Sequence, residues 1–281
     1  MEEAIMKECE LEDDCEDDEE SEDEPQLRER KNSKAKDYFK YLMKNRITSL
    51  AQQLQQPVEE WEEWIDHPRL NALQSQYFDI VRTVLRQQSF TDVFKLLEGH
   101  EYEQLVEERG EKIEWILTKH HEMTAPQFKT FVRGLINVVQ RNSGKRNTFY
   151  IMGRSNTGKS MLMETFVRSY FKNAYGSPTD NVNSGFPWND CVNQRIILIE
   201  EPTVIEKNHE AYKKVLGGQV HRCDKKYAGS GEVPPTPVIM TSNPPLWINV
   251  PSQAETFRNR CFIFYFKNPI PEGHECLPLG S

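Results

Sequence analysis

The chain has 281 residues, enough for one large domain or two modest domains with cores of their own. Its net charge of −9 is uneven: residues 1–25 hold 15 acidic residues and one lysine, which leaves 34 basic and 29 acidic residues in the rest. The basic excess of the rest is compatible with nucleic-acid binding. The six cysteines form no metal or disulfide pattern, and we expect neither a signal peptide nor a membrane span.

The first half of the chain divides into a tail and a helical region. Residues 1–36 are predicted to be a disordered acidic tail and basic linker, because they offer a core almost nothing to bury. In residues 37–143, apolar side chains recur at spacings of three and four, which predicts several short helices. His120 and His121 have no Cys or carboxylate nearby at ligand spacing, so we predict no metal site there.

Residues 144–268 have a different character, because short β-rich runs alternate with helical stretches. The runs are apolar on both faces, as the central strands of a parallel sheet are. This pattern predicts an α/β nucleotide-binding domain with a parallel central sheet. The predicted strands are 149–152, 195–199, 238–241 and 261–266, and a short tail, 269–281, follows.

The first predicted strand leads into a phosphate-binding loop that is followed by a helical stretch. The loop is Gly153-Arg154-Ser155-Asn156-Thr157-Gly158-Lys159-Ser160. Its glycines let successive backbone N–H groups point at phosphate oxygens. The pattern predicts that Lys159 reaches the β- and γ-phosphates of ATP and that the Ser160 hydroxyl holds Mg²⁺.

Polar side chains follow the next two predicted strands. Glu200 and Glu201 end the second strand, where one acid can support Mg²⁺ and another group can orient the attacking water. Asn243 follows the third strand and suits a hydrogen bond to that water or to the γ-phosphate. We therefore expect these three side chains to face the phosphate-binding loop.

Basic residues occupy two further positions of interest. Lys225 and Lys226 precede a Gly-Ser-Gly sequence that predicts the tip of a hairpin or flexible loop, and in a ring's central channel they would contact single-stranded DNA. Arg258 and Arg260 stand at the entrance to the last strand, where an arginine can stabilise the γ-phosphate of an adjacent subunit. Chemistry alone does not separate these two arginines.

The chain resembles a superfamily 3 helicase, and specifically the ATPase domain of parvovirus replication initiator proteins. The resemblance rests on blocks in the same order: 144–148, 153–160, Phe186-Pro187-Trp188-Asn189-Asp190-Cys191, Glu200-Glu201, 213–218, 222–226, 236–243 and Arg260-Cys261-Phe262. It implies an AAA+-like fold, a homo-oligomeric ring of the hexamer type, and ATP-driven 3′ to 5′ unwinding of DNA in the nucleus or cytoplasm. The helical region resembles the family's oligomerisation bundle in position.

The resemblance also implies roles for single residues. Glu200 supports the metal together with Ser160, Glu201 activates water, and Asn243 is the sensor. Lys213, Lys225 and Lys226 contact DNA, either as a single strand or at a replication fork. Arg260, rather than Arg258, is the arginine finger.

One departure from the family pattern concerns the first half of the chain. Residues 1–145 contain only His67, His100, His120 and His121, so the His-hydrophobic-His motif of a nicking domain is missing. We therefore do not expect origin nicking, and the chain could be a viral isoform, a fragment or a virus-derived host gene. The alternative function is an interaction module that assembles with a full-length parvoviral initiator protein and interferes with it.

Overall fold

The computed structural model describes residues 24–64, 67–89, 92, 110–111, 113–179, 186–225 and 229–270. The chain forms two compact units, residues 1–41 and 42–281. Helix α1 (Glu24–Asn45) begins in the first unit, so residues 24–36, predicted to lie in a disordered tail and linker, are helical. This stretch has no glycine and its one proline, Pro25, falls in the first turn, where a helix accommodates it. Residues 1–23 of the predicted tail lie outside the described part.

Short helical elements precede the sheet, as the spacing of apolar residues predicts. They are α2 (Leu50–Gln53), 3₁₀ turns at Val58–Glu60 and Glu62–Trp64, α3 (Pro68–Gln87), a π-helical turn (Trp115–His120) and α4 (Ala125–Val139). At the start of α4, the Gln127 side-chain oxygen accepts a hydrogen bond from the Thr124 N–H at 2.9 Å. This contact satisfies a backbone donor at the helix start. No helix in the described ranges is long and apolar enough to cross a membrane.

The centre of the second unit is a five-stranded parallel sheet with helices between its strands. The strands are β1 (Thr148–Gly153), β2 (Tyr175–Gly176), β3 (Ile196–Glu200), β6 (Val238–Ser242) and β7 (Cys261–Phe266), in the spatial order β2-β3-β6-β1-β7. Helix α5 (Lys159–Tyr170) follows β1, so the predicted strand, loop and helix are confirmed. The fold is thus the predicted α/β fold with a parallel central sheet and a phosphate-binding loop after its first strand. The sequence did not predict the two-residue edge strand β2.

The sheet is buried on both faces, and α4 forms part of one covering layer. Along β1, Phe149 and Ile151 belong to one apolar cluster, whereas Tyr150 and Met152 belong to the other, as the alternation of a strand requires. The Phe131 ring of α4 packs edge-on against Phe149 with ring centroids 4.9 Å apart. Because α4 covers the sheet, the predicted division near residue 143 falls within one compact unit.

A two-stranded antiparallel hairpin lies between helix α6 (His209–Leu216) and β6. It consists of β4 (His221–Lys225) and β5 (Gly229–Val233), which pair from His221↔Val233 to Lys225↔Gly229. The Gly-Ser-Gly sequence was expected at the tip, but Gly229, Ser230 and Gly231 lie within β5 instead. Their extended backbone completes the hairpin ladder, so the turn comes earlier in the chain. Helix α7 (Ala254–Arg258) precedes β7.

Candidate active site

The phosphate-binding loop leaves β1 in a tightly curled backbone. Asn156 (φ 58°) and Gly158 (φ 82°) adopt the left-handed conformation that asparagine and glycine tolerate best. A Cβ atom on Gly153 would lie 1.9 Å from the carbonyl oxygen of Phe266 in β7, so no other residue fits where the loop begins. A curled loop that opens into a helix N-terminus is a favourable place for phosphate groups.

Lys159 is buried, and its amine is surrounded by oxygen acceptors. Its Nζ atom donates to the carbonyl oxygen of Arg154 at 2.7 Å and to Oδ1 of Asn243 at 2.9 Å. Desolvation lowers the pKa of Lys159, and the negative charge of Glu201 partly offsets that shift. The lysine therefore lies where the loop, the sensor position and one carboxylate converge.

Glu201 and Asn243 are joined by a direct hydrogen bond at the carboxyl edge of the sheet. The Asn243 backbone N–H donates to Oε2 of Glu201 at 2.9 Å. Glu201 lies just past the end of β3 with φ 44°, and its own N–H donates to the carbonyl oxygen of Thr241 in β6 at 2.9 Å. The structure thus brings the two residues together, as their places after neighbouring parallel strands predict.

Ser160 and Glu200 both neighbour Thr241. The Ser160 hydroxyl is 3.4 Å from Oγ1 of Thr241, and Glu200 is the residue of β3 that pairs with Thr241. One hydroxyl and one carboxylate suit Mg²⁺, which proteins usually bind through one or two carboxylates together with substrate phosphates. Across the described ranges, no three His, Cys, Asp or Glu side chains gather as a metal site on their own. The site thus fits a magnesium ion that arrives with a nucleotide.

Tyr150 supports the end of β6 and was not predicted as a site residue. Its hydroxyl lies 2.5 Å from Oγ of Ser242 and accepts a hydrogen bond from the Leu246 N–H at 3.0 Å. Burial raises the pKa of Tyr150, so the ring stays neutral. These bonds fix the turn that presents Asn243 to the loop.

Two segments outside the predicted motifs contact the phosphate-binding loop from behind. Nε2 of His121 lies 3.0 Å from the carbonyl oxygen of Thr157, and the Ile270 N–H donates to the carbonyl oxygen of Asn156 at 2.7 Å. The motif pattern carries no signal for these contacts, because they depend on how the chain before α4 and after β7 returns to the loop. His121 therefore contacts the phosphate-binding loop, although we predicted no site role for it.

Arg260 lies at the opposite, amino-terminal edge of the sheet. Its Nε atom donates to the carbonyl oxygen of Lys213 at 2.9 Å, and its NH1 atom donates to that of Thr256 at 2.7 Å. Arg258 instead places its guanidinium over the Trp247 ring, 4.7 Å from the centroid. Within the described ranges, neither arginine contacts the phosphate-binding loop, and Arg260 caps the end of α6.

Of the three residues predicted to contact DNA, Lys213 and Lys225 lie in the described ranges. Lys213 lies on α6, where its amine forms an ion pair with Glu210 and lies 3.4 Å from Oε1 of Gln253. Lys225 is the last residue of β4, next to the turn of the hairpin. Lys226 lies outside the described residues, so its predicted contact with DNA stays a prediction.

Comparison with protein families identifies one match. The model of parvovirus non-structural protein NS1 matches residues 129–278, which is more than half of the chain. The match includes α4 from residue 129 onward and every element from β1 to β7. It extends to the region after β7 that contacts the phosphate-binding loop.

Viral proteins are similar in sequence to up to about half of the chain. Initiator protein NS1 of parvovirus LuIII is 32% identical over 140 residues, which cover 48% of this chain and 20% of that protein. Protein Rep52 of adeno-associated virus 2 is 33% identical over 135 residues, which cover 48% of this chain and 33% of that protein. Initiator protein NS1 of porcine parvovirus is 40% identical over 106 residues, 38% of this chain and 16% of that protein. The matched part is thus a third or less of these relatives' length.

Solved structures with a similar fold are more distant. The JCV helicase is 14% identical with a TM-score of 0.48, over 76% of this chain and 63% of that one. The C-terminal region of NrS-1 is 18% identical with a TM-score of 0.45, over 59% of this chain and 40% of that one.

Proposed function

The chain belongs to the parvovirus non-structural protein NS1 family, and from that premise we propose that it is an ATP-dependent DNA helicase or translocase of the superfamily 3 type. The observation that carries the proposal is the convergence of Lys159, Glu201 and Asn243 at one edge of the sheet. The Lys159 amine donates to the Asn243 side-chain oxygen, and the Asn243 backbone N–H donates to the Glu201 carboxylate, so the three groups that phosphoryl transfer uses lie together.

Each residue of the convergence has a separate task in hydrolysis. Lys159 and the backbone N–H groups of the loop bind the β- and γ-phosphates, and Ser160 with Glu200 holds Mg²⁺. The ion, when bound, neutralises charge that develops on the phosphate oxygens. Glu201 orients the attacking water and accepts its proton, while Asn243 fixes both Glu201 and the γ-phosphate end of the site. The short Asn243–Glu201 contact supports this division of roles.

Arg260 completes the site of a neighbouring subunit rather than its own. It precedes β7, whose first residue pairs with Thr148 at the start of β1, whereas the phosphate-binding loop follows the end of β1. β1 spans Thr148–Gly153, so with a rise of about 3.3 Å per residue the two edges are about 17 Å apart. A homo-oligomeric ring would bring Arg260 of one copy to the phosphates of the next.

ATP hydrolysis would drive movement of the protein along DNA. The β4–β5 hairpin carries Lys225 in its first strand and Lys226 directly after it, and both would contact phosphates of a single strand in the ring's channel. The site of action would be a replication fork in the nucleus. Co-assembly with a longer viral initiator protein fits the same ring geometry.

The test is ATP hydrolysis by the whole chain with and without single-stranded DNA, over a range of protein concentrations. We expect turnover that DNA stimulates and that rises more steeply than protein concentration, because the active site lies between copies. Lys159→Ala should abolish turnover with the thermal unfolding midpoint little changed, and Arg258→Ala serves as the matched control with near-normal turnover. A strand-displacement assay then separates a helicase from an ATPase that only binds DNA.

The outcomes divide cleanly. Full turnover in Lys159→Ala would overturn the assignment of the site. A folded wild-type protein that binds ATP without hydrolysing it would favour the interfering partner of a full-length initiator protein instead.

A further inference from the structure

The backbone of the phosphate-binding loop is held from its outer side by two hydrogen bonds. The carbonyl oxygen of Asn156 accepts the Ile270 N–H at 2.7 Å, and the carbonyl oxygen of Thr157 lies 3.0 Å from Nε2 of His121. Both carbonyl groups belong to residues just before Gly158, which is the N-cap residue of α5. The support therefore acts on the part of the loop nearest the helix N-terminus.

A carbonyl held on one side directs an amide to the other. In a planar trans peptide, the C=O of one residue and the N–H of the next point in opposite directions. Holding the Thr157 carbonyl toward His121 thus turns the Gly158 N–H away from His121. Holding the Asn156 carbonyl toward Ile270 does the same for the Thr157 N–H. Both amides belong to the set that cradles phosphate oxygens in such loops.

His121 is a neutral donor in this contact. A carbonyl oxygen can only accept, so Nε2 carries the proton, and Nδ1 is buried without a hydrogen-bond partner among the described residues. Burial, with help from the charges of His120 and Lys159, lowers the pKa of His121 to about 4. The ring also packs on Phe266 with centroids 4.0 Å apart, so its orientation is fixed by packing as well.

The two supporting segments are tied to each other. Nε2 of His120 lies 2.7 Å from the carbonyl oxygen of Asn268, and the Asn268 side-chain amide donates to the carbonyl oxygen of His120 at 2.6 Å. The His121 N–H closes the π-helical turn on the carbonyl oxygen of Ile116 at 2.9 Å. π-Helical geometry often occurs at functional positions. Residues 120–121 and 268–270 thus support the loop as one unit.

We propose that His121 is a positioning residue for nucleotide phosphates, which acts by holding the Thr157 carbonyl so that the Gly158 amide points at them. The inference rests on the proposed function, since it concerns the same nucleotide site. It predicts a loss of affinity for phosphates that does not depend on the base. The inference attributes this effect to the Nε2 donor of His121 and not to the packing of its ring on Phe266.

The experiment compares His121→Phe, which keeps an aromatic ring but has no donor, with His121→Gln, whose amide can replace the Nε2 donor. His209→Phe is the control, because His209 lies on α6 and contacts Glu206 and Glu210 instead of the loop. Dissociation constants are measured by calorimetry for ADP and for inorganic tripolyphosphate. We expect His121→Phe to weaken both on the order of tenfold, as the loss of one hydrogen bond does, and His121→Gln and His209→Phe to stay near wild type.

Three results would overturn the inference. They are equal affinities of wild type and His121→Phe, a loss for ADP without a loss for tripolyphosphate, and a His121→Gln variant as weak as His121→Phe. A wild-type protein that binds neither ligand would instead refute the proposed function. Should the variants fail to fold, nitrogen NMR of the wild type decides: His121 protonated on Nε2 supports the inference, and protonation on Nδ1 overturns it.

Discussion

The two edges of the central sheet are built differently. At the carboxyl edge, the phosphate-binding loop, Glu201 and Asn243 contact one another and leave polar groups facing a common space. At the amino edge, polar side chains turn inward to bond the end of α6: Arg260 bonds the carbonyl of Lys213, and Asn147 that of Val215. One edge is arranged to receive a ligand and the other to close a helix.

Under the proposed function, this difference implies that one copy of the chain would hold an incomplete active site. The predicted finger and the predicted phosphate site lie at opposite ends of the same strands, so no side-chain rotation within one copy joins them. If Arg260 acts on phosphate, it acts on that of another copy. The predictions below test this division, beginning with the largest effect.

Mixing two inactive variants should restore activity. Lys159→Ala lacks the phosphate-binding amine and Arg260→Ala lacks the finger, so each alone should be inactive. In an equal mixture, about a quarter of the interfaces between subunits combine an intact Lys159 with an intact Arg260. We expect hydrolysis to recover toward that fraction of wild type in a steady-state ATPase assay. No recovery, with mixed oligomers confirmed by native mass spectrometry, would place both residues in one copy's site.

The strongest effect on stability is expected at the carboxyl edge. In Gly153→Ala, the added Cβ would lie 1.9 Å from the Phe266 carbonyl oxygen, so β1 and β7 must separate at the loop. We expect a loss of about 3 kcal/mol or more in the free energy of unfolding, measured by urea denaturation.

Gly134→Ala is the matched control for that substitution. Gly134 lies within α4, and a Cβ atom added there would lie 3.5 Å from the Phe264 ring of β7, which is an ordinary van der Waals contact. We expect the opposite sign, a gain of about 0.5–1 kcal/mol. Equal effects of the two substitutions would show that β1 does not depend on glycine where the loop begins.

A smaller effect on stability is expected from the buried amide of the amino edge. The Asn147 side chain donates to the carbonyl oxygens of Thr236 at 2.6 Å and Val215 at 3.2 Å. Asn147→Ala takes the donor from the Thr236 carbonyl oxygen, whereas the Val215 carbonyl oxygen keeps the Gly218 N–H at 3.0 Å. The loss should cost about 1–2 kcal/mol in urea unfolding. Asn142→Ala removes an exposed amide and should change stability by less than about 0.5 kcal/mol.

The smallest effect on stability is expected from loss of the helix cap that Arg260 provides. Arg260→Ala removes a cation and two hydrogen bonds at the end of α6, and we expect a loss of about 1 kcal/mol. Arg258→Ala removes an exposed guanidinium from the Trp247 ring, which should cost about 0.5 kcal/mol. The stability losses of the two variants are compared by thermal unfolding. A larger loss for Arg258→Ala would contradict the capping role of Arg260.

The sequence predicted the sheet and the carboxyl edge because each depends on a local pattern. Apolar runs predicted β1, β3, β6 and β7, and residues directly after parallel strands must meet at one edge. His121 could not be predicted in this way, since its contact with Thr157 joins positions 36 residues apart across an irregular turn. The helical start of α1 was missed because its charged residues indicated a linker. The sequence Gly229-Ser230-Gly231 predicted a turn instead of a strand, because glycine is more common in turns than in strands.

Strand β1 has a further consequence for the motion of the site. From Thr148 to Met152 it is paired with β6 on one side and β7 on the other, and these residues are buried. Amide hydrogens in such a strand exchange with solvent chiefly when the whole domain unfolds. The phosphate-binding loop is therefore fastened at one end to the slowest-opening part of the molecule. Under the proposed function, nucleotides would bind and dissociate many times within the lifetime of a single β1 hydrogen bond.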